Sequence, residues 1–304
     1  MSERQIDRIG FLRKGSSLAI GVVASAISRG IPGMFLATMD NQNPESLKGK
    51  TIGLQLYSLR DQMHIDPELT LTDVMRMGYR TLELVDYSGG KVFGLTAEEF
   101  RSKCDTLGLA ILSSHIGARK FAIMGGDEMI MWWDRVFDDH TIMGCRSVVI
   151  PKLNIKPNAE DIENGCLYLN TLGKMANTKE IRLAYHNSFE AMQPVNDKFV
   201  LEHLIEGTDP DKVDFQLDTF WMKQGGEKPE TWLKRYPDRF TSLHIRDKST
   251  IGDNPKMDFK PIFEQFFANG MRDYFVEIEW YDRFAPQVCA QRSFDYLEIS
   301  PFVV

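Results

Sequence analysis

Cysteine is scarce and its spacing carries no chemistry: Cys104, Cys145, Cys166 and Cys289 form neither a CxxC pair nor a cluster. That excludes a thiolate zinc site of the usual spacing, a dithiol redox centre and a dense disulfide framework, and leaves four buried thiols as the expectation. Basic charge is not in excess either. The 36 Lys and Arg against 43 Asp and Glu give a net charge of -7 and a pI near 5.5, so no electrostatic footprint for nucleic acid is present. No run of like charges forms an interaction tail. No GxGxxG or Walker-type glycine run follows any predicted strand, which argues against a dinucleotide-binding open sheet. What remains is 43% hydrophobic and 26% charged residues, the balance of a globular protein with a large core. Small-molecule chemistry is the function class this composition favours.

The N-terminal segment stands apart from the rest. A basic stretch from Arg8 through Phe11, Leu12, Arg13 and Lys14 leads into an apolar run from Ser17 to Ile27, too short to span a bilayer as a helix. This is the layout of an export signal. It is similar to a twin-arginine signal, although the pair is broken to Arg8 followed by Ile9, and no cysteine follows to accept a lipid anchor. Residues 1–48 are therefore read as export signal and linker and residues 49–304 as the folded domain. The expected location is periplasmic or otherwise exported, with the cytoplasm as the alternative and no membrane attachment of the mature form.

From about residue 50, short β-branched or apolar runs alternate with segments of helical period. Eight runs are found, at 51–58, 81–87, 110–116, 147–153, 181–187, 213–220, 241–246 and 274–280. Their starts recur at intervals of about 30 residues, the spacing that closes a (β/α)8 barrel of about 250 residues. Between them, Thr96, Glu98, Glu99 and Phe100 through Leu107 and Gly108 carry a Thr N-cap, an acidic first turn and a glycine stop. Further helices are predicted to begin at Asp66, Gly126, Asn158, Asp197, Lys228 and Asp258. The fold expected is a single (β/α)8 TIM barrel of the α/β class.

Active sites of such barrels are built at the C-terminal ends of the strands, so polar residues there take on a functional reading. The last four predicted strands end in Tyr185-His186-Asn187, Gln216-Leu217-Asp218-Thr219, His244-Ile245-Arg246 and Glu277-Ile278-Glu279. The period of two sets Gln216 with Asp218, Ser242 with His244 and Arg246, and Glu277 with Glu279 on common faces. If those faces point inward, His186, Asp218, His244 and Glu277 form a mixed nitrogen and oxygen set suited to a divalent ion such as Mn, Co, Zn, Fe or Mg. Glu277, nearer the strand centre, is taken as the ligand and Glu279 as the base.

These four strand ends are similar to those of the sugar phosphate isomerase/epimerase family, within the xylose isomerase-like barrel superfamily. The likeness covers roughly residues 50 to 300 and is best from the fifth strand onward. It implies a divalent metal at the barrel mouth and a small sugar substrate, with Glu, Asp, His and Glu as ligands on strands five to eight. His186 stands where that pattern has its first glutamate. A similar Tyr-His-Asn stretch belongs to the inosose dehydratase and 3-keto-sugar-acting branch. The resemblance therefore leaves open a metal-dependent isomerase or epimerase, a lyase, dehydratase or hydrolase of 3-keto-glycosides, and a carbohydrate-binding barrel without turnover.

Glu83 and His115, ending the second and third strands, are candidates for holding hydroxyls or moving a proton, and Lys152 for stabilising an enediolate oxygen. Tyr57, Trp221 and Trp280 are candidate sugar platforms and Arg246 a candidate substrate contact. Met129, Met131, Trp132 and Trp133 are read as core or self-association contacts, so a homo-oligomer stays open; His64, His140 and His203 receive no role. Arg246, Asp247 and Lys248 supply positive charge without a glycine-rich nest, so the sugar expected is unphosphorylated.

Overall fold

The computed structural model describes residues 50–117, 126–281 and 283–304; the proposed export segment lies outside them. Eight parallel strands close a barrel: β1 (Gly53–Gln55), β2 (Thr81–Leu84), β3 (Ala110–His115), β4 (Ser147–Ile150), β5 (Arg182–His186), β6 (Val213–Asp218), β7 (Phe240–Arg246) and β8 (Asp273–Glu277). Each pairs with its sequence neighbours, and β1 closes on β8 with Gly53 opposite Phe275 and Leu54 opposite Val276. Except for β7, which spans its run and one residue more, the strands are shorter than the sequence runs because the last residues of those runs already belong to the loops. Two small antiparallel additions decorate the mouth: Tyr87–Ser88, Lys91–Val92 and Leu95–Thr96 after β2, and Pro194–Val195 with Lys198–Phe199 after β5.

Alternation within each strand separates two environments. Outward side chains such as Leu54, Leu82, Val148, Leu183, Phe215, Leu243 and Val276 are buried in one apolar core shared with the surrounding helices. Toward the C-terminal ends of the strands the inward side chains are polar: Gln55, Glu83, Ser113, His186, Gln216, Asp218, His244 and Glu277 are all 5% exposed or less. In two places the register steps by one residue. Leu82 pairs with Ile111 but Glu83 with Ser113, and Phe215 pairs with Phe240 but Gln216 with Ser242. The extra residues, Leu112 on β3 and Thr241 on β7, behave as β-bulges that realign the strand beyond them. Past these steps, Ser113 stands level with Glu83 and His244 with Asp218.

The helices obey their caps. Helix Ala97–Leu107 starts on a reciprocal capping box between Thr96 and Glu99, buries Ala97, Phe100 and Cys104 along one stripe, and ends on Gly108 at φ 65°. Asp66 and Asn158 cap the helices Pro67–Met77 and Ala159–Asn177 as predicted. The starts predicted at Asp197 and Asp258 fall short of the helices Val200–Gly207 and Lys260–Ala268, the first because a hairpin occupies the residues between. Met129 and Trp133 are buried, whereas Met131 is exposed on the same helix, Gly126–Met143. All four cysteines are free and buried. Among the described residues no helix is long and apolar enough to cross a membrane.

Helix Ala159–Asn177 approaches the chain before β6 so closely that a Cβ on Gly173 would overlap the Lys212 carbonyl oxygen. Backbone cannot yield as a side-chain tip can. Gly to Ala inside a helix ordinarily stabilises by about 0.5–1 kcal/mol. Gly173→Ala is expected to destabilise the barrel instead, by about 1–3 kcal/mol, read as a lowered urea midpoint with unchanged slope.

Candidate active site

The centre is assembled by register. His186 lies opposite Gln216, Asp218 opposite His244, and Arg246 opposite Glu277, so the polar side chains climb around the barrel as the strands tilt. One ligand-type atom from each of His186, Asp218, His244 and Glu277 falls within a cluster whose members are all within 4.8 Å of one another, and all four residues are buried. His186 Nε2 is 3.4 Å from Asp218 Oδ2, and His244 Nδ1 is 3.1 Å from Glu277 Oε2. The sequence-predicted set is thus brought together.

Side chains at the strand ends fix this arrangement where the ladder stops. Asn187 Oδ1 accepts from the Asp218 amide (2.8 Å), and the Thr219 hydroxyl both donates to the Arg246 carbonyl (2.8 Å) and accepts from the Arg246 amide (2.9 Å). Asp218 Oδ1 accepts from the Trp221 amide (2.7 Å) and caps the short helix Thr219–Gln224, which leaves Oδ2 to face the cluster. His186 Nδ1 faces the Pro151 carbonyl at 3.3 Å, so Nε2 points to the centre.

Beneath the cluster lies a second layer that the strand-end reading did not identify as such. Glu83 is fully buried and accepts from Ser113 (2.6 Å), Gln216 (2.8 Å) and Gln55 (3.1 Å), and it meets His244 Nε2 directly. Its place is therefore behind His244 rather than facing a substrate. Burial would raise its pKa, but the His115 and His244 imidazoles outweigh that and bring it down to about 2. His115 donates to Gln216 Oε1 (2.7 Å) and stacks on His244 with ring centres 4.8 Å apart; burial lowers its pKa to about 4, against the pull of Glu83. For His244, burial opposes the charged form, yet Glu83 on Nε2 and Glu277 on Nδ1 prevail and raise the ring to about 10. Glu277 is held well below the usual carboxylate range: burial opposes this, but His244 and Arg246 overcome it.

Arg246, read from the sequence as a substrate contact, is fully buried, and both of its terminal nitrogens are committed to carboxylates while Nε has no partner. Nη1 lies 3.3 Å from Asp218 Oδ2 and 3.4 Å from Glu277 Oε2, while Nη2 holds Glu279 Oε2. The guanidinium is enclosed by Phe220, Trp221 and Trp280, with ring centres 5.0, 5.0 and 4.9 Å from Cζ. It is a positioning residue that braces three carboxylates. Glu279 is partly exposed; burial raises its pKa in spite of Arg246, and Glu277 and Asp218 add to the rise.

The remaining candidates lie at the rim. Lys152 is half-exposed and ion-paired with Glu190, which occupies the charge assigned to an enediolate oxygen. Tyr57 stacks against Arg60 at 4.2 Å, and Arg60 in turn donates to Tyr281 Oη (2.9 Å), tying the end of β1 to the segment after β8. Trp221 and Trp280 sit 6.5 Å apart with Phe220 and Phe189 beside them, and Trp280 is 45% exposed, enough to offer a ring face. Of the histidines given no role, His140 is bonded to Ser114 and the Val136 carbonyl, away from the mouth.

The donor set fits a divalent cation. Two imidazole nitrogens and two carboxylate oxygens converge, and three carboxylates (Asp218, Glu277 and Glu279) meet a single guanidinium, leaving negative charge for a dication to offset. A cation on Nδ1 of His244 with Glu83 on Nε2 would complete a carboxylate–histidine–metal arrangement.

The profile of the xylose isomerase-like TIM barrel family matches residues 71–298. Among solved structures, a sugar phosphate isomerase/epimerase from Parabacteroides distasonis superposes with a TM-score of 0.79 at 28% identity, covering 84% of this chain and 100% of that one. An IOLI protein with a bound zinc atom superposes with a TM-score of 0.62 at 16% identity over 81% of this chain and 95% of that one, a likeness of fold. Among characterised sequences, inosose dehydratase 2 of Bacillus cereus is 31% identical over 108 residues, and inosose dehydratase of Lacticaseibacillus casei 26% identical over 131. Those matches span 36% of this chain and 36% and 43% of the two relatives. With its closed eight-stranded barrel and a family match across most of its length, this chain belongs to the xylose isomerase-like TIM barrel family.

Proposed function

We propose that this protein is a divalent-metal-dependent enzyme that removes the proton beside the carbonyl of a keto-sugar or keto-polyol, as isomerases and epimerases do. The single observation that carries this reading is the convergence of His186, Asp218, His244 and Glu277, with Glu279 held beside them by Arg246. A cation bound there would polarise the ketone and acidify the neighbouring C–H bond. His186, Asp218, His244 and Glu277 would hold it, and Glu83 would fix the His244 ring through Nε2. Glu279, the carboxylate with an exposed side, is the base; Arg246 sets its position. Trp280 and Trp221 supply an apolar face for the sugar ring and exclude water from one side.

A second outcome, elimination of water or of a glycosidic group, is favoured by the asymmetry of the site. His186 stands on β5 where a second carboxylate would allow proton transfer on both faces of an enediolate, and only Glu279 remains as a carboxylate base. The partial likeness to inosose dehydratases points the same way. Both outcomes share the proton-removal step and diverge after it.

Three measurements test this reading. Incubated with a divalent metal and a panel of ketoses and 3-keto-glycosides in deuterated water, the protein should exchange the α-hydrogen by NMR; an isomerase or epimerase then yields a stereoisomer, a dehydratase an enone absorbing in the ultraviolet. Binding without any exchange would mark a carbohydrate-binding barrel. Glu279→Gln should retain bound metal but lose exchange by at least about 100-fold, whereas Asp218→Asn and Glu277→Gln should lose the metal as measured by elemental analysis. Glu83→Gln is expected to fold normally and to weaken metal affinity about 10- to 100-fold, as loss of an orienting partner does, read by competition with a chelator; unchanged affinity would remove Glu83 from this role.

A further inference from the structure

Beside the centre, on the side of the loops that follow β6, β7 and β8, lies a cleft of about 610 Å³ of which the catalytic reading uses only the Trp280 wall. Its lining includes Phe220 and Trp280, two of the three rings that enclose Arg246, so one layer of aromatic side chains separates the cleft from the metal-ligand cluster. Apart from Met257, the rest of the lining is polar and of one dominant sign: Lys223, Lys248 and Lys256 with Gln224, Asn254 and Asp247.

Three features point to a ligand. The chain carries a net charge of -7, yet this cleft brings together three lysines and a single carboxylate, a local reversal of sign. None of the three lysines is ion-paired among the described residues; the Lys223 ammonium reaches the Lys256 carbonyl at 3.4 Å and no acid. Asp247 is 3% exposed and half satisfied: Oδ1 accepts from the Lys248 amide (2.7 Å) and from Asn254 Nδ2 (3.0 Å), while Oδ2 is buried with no donor. A buried carboxylate oxygen without a donor is costly, and a ligand hydroxyl would relieve it. The exposed Trp280 adds a ring face on the same wall. A hydroxyl acceptor, an aromatic face and a set of ammonium groups together match an acidic sugar.

We propose that this cleft is a subsite for an anionic sugar moiety, bearing a carboxylate or a phosphoryl group, at the far end of a substrate whose keto-sugar end reaches the metal-ligand cluster. The substrate is then larger than a monosaccharide and acidic; a phosphoryl group at that end would overturn the expectation of an unphosphorylated sugar, and a carboxylate would leave it standing. The sequence missed this because Lys223 and Lys256 are 33 positions apart and meet only through the fold. This inference deepens the proposed function and rests on it for the identity of the other end, but the subsite is tested separately.

Binding of glucose, glucuronate, glucose 6-phosphate and inorganic phosphate to the full chain would be measured by calorimetry or ligand-observed NMR, in the wild type, in Lys248→Met/Lys256→Met and in Glu277→Gln. Glucuronate or glucose 6-phosphate should bind at least about tenfold more tightly than glucose, the gain expected from two or three partly exposed ion pairs, and more tightly than inorganic phosphate. The preference should collapse in the double lysine variant, weaken with added salt, and persist in Glu277→Gln. Whichever acid binds better identifies the anion. No preference for the acids over glucose, or a preference untouched by the lysine substitutions, overturns the subsite. A subsite that passes while no substrate shows α-hydrogen exchange would mean that the catalytic reading has failed and the binding site stands.

Discussion

The structure turns on negative charge gathered where water cannot screen it. Glu83, Asp218 and Glu277 are buried within one barrel mouth and Glu279 is partly so. Isolated carboxylates in such a setting would each cost several kcal/mol. Their neighbours are accordingly all cationic or donating: Arg246 spans Asp218, Glu277 and Glu279, and His244 sits between Glu277 and Glu83. Even with the guanidinium in place the upper cluster keeps surplus negative charge and four ligand-type atoms turned inward. Such an arrangement could hold a dication, as the proposed function requires.

That constraint divides the site into two layers. The lower layer of Gln55, Glu83, Ser113, His115 and Gln216 is closed, with each Glu83 oxygen bonded more than once. It behaves as a floor whose hydrogen bonds hold the His244 ring in place. In the upper layer His186 and His244 meet Asp218 and Glu277, and Arg246 reaches both carboxylates, so each acid there faces a cationic or donating neighbour. Support below and a cluster of four ligand-type atoms above is the division of labour that would suit a metal centre.

Much of this was legible in the sequence, for identifiable reasons. The eight βα units could be read from alternation and caps, as with Thr96, Glu99 and Gly108, because those signals are local. The four strand-end residues could be read as a set because barrel geometry equates the ends of consecutive strands. The orientation of Arg246 could not. On sequence it is one more polar residue facing a pocket, and only the three surrounding rings and three acids turn it inward. Glu83 was noticed, but its place behind His244 could not be read, since the side chains that hold it come from β1, β3, β6 and β7. Gln55 and Ser113 gave no signal, because small polar residues on short strands are common without any role.

The extra residues on β3 and β7 have a bearing on how relatives of this protein are compared. Each inserts an odd step into a pattern of even ones, so side chains before and after the step belong to opposite families of faces. Counting by twos from Phe240 would send His244 and Arg246 to the helices and turn Leu243 and Ile245 toward the lumen. In this barrel, parity is a local property of each half-strand, and homologues lacking either insertion would present a different chemistry from an otherwise matching string of letters.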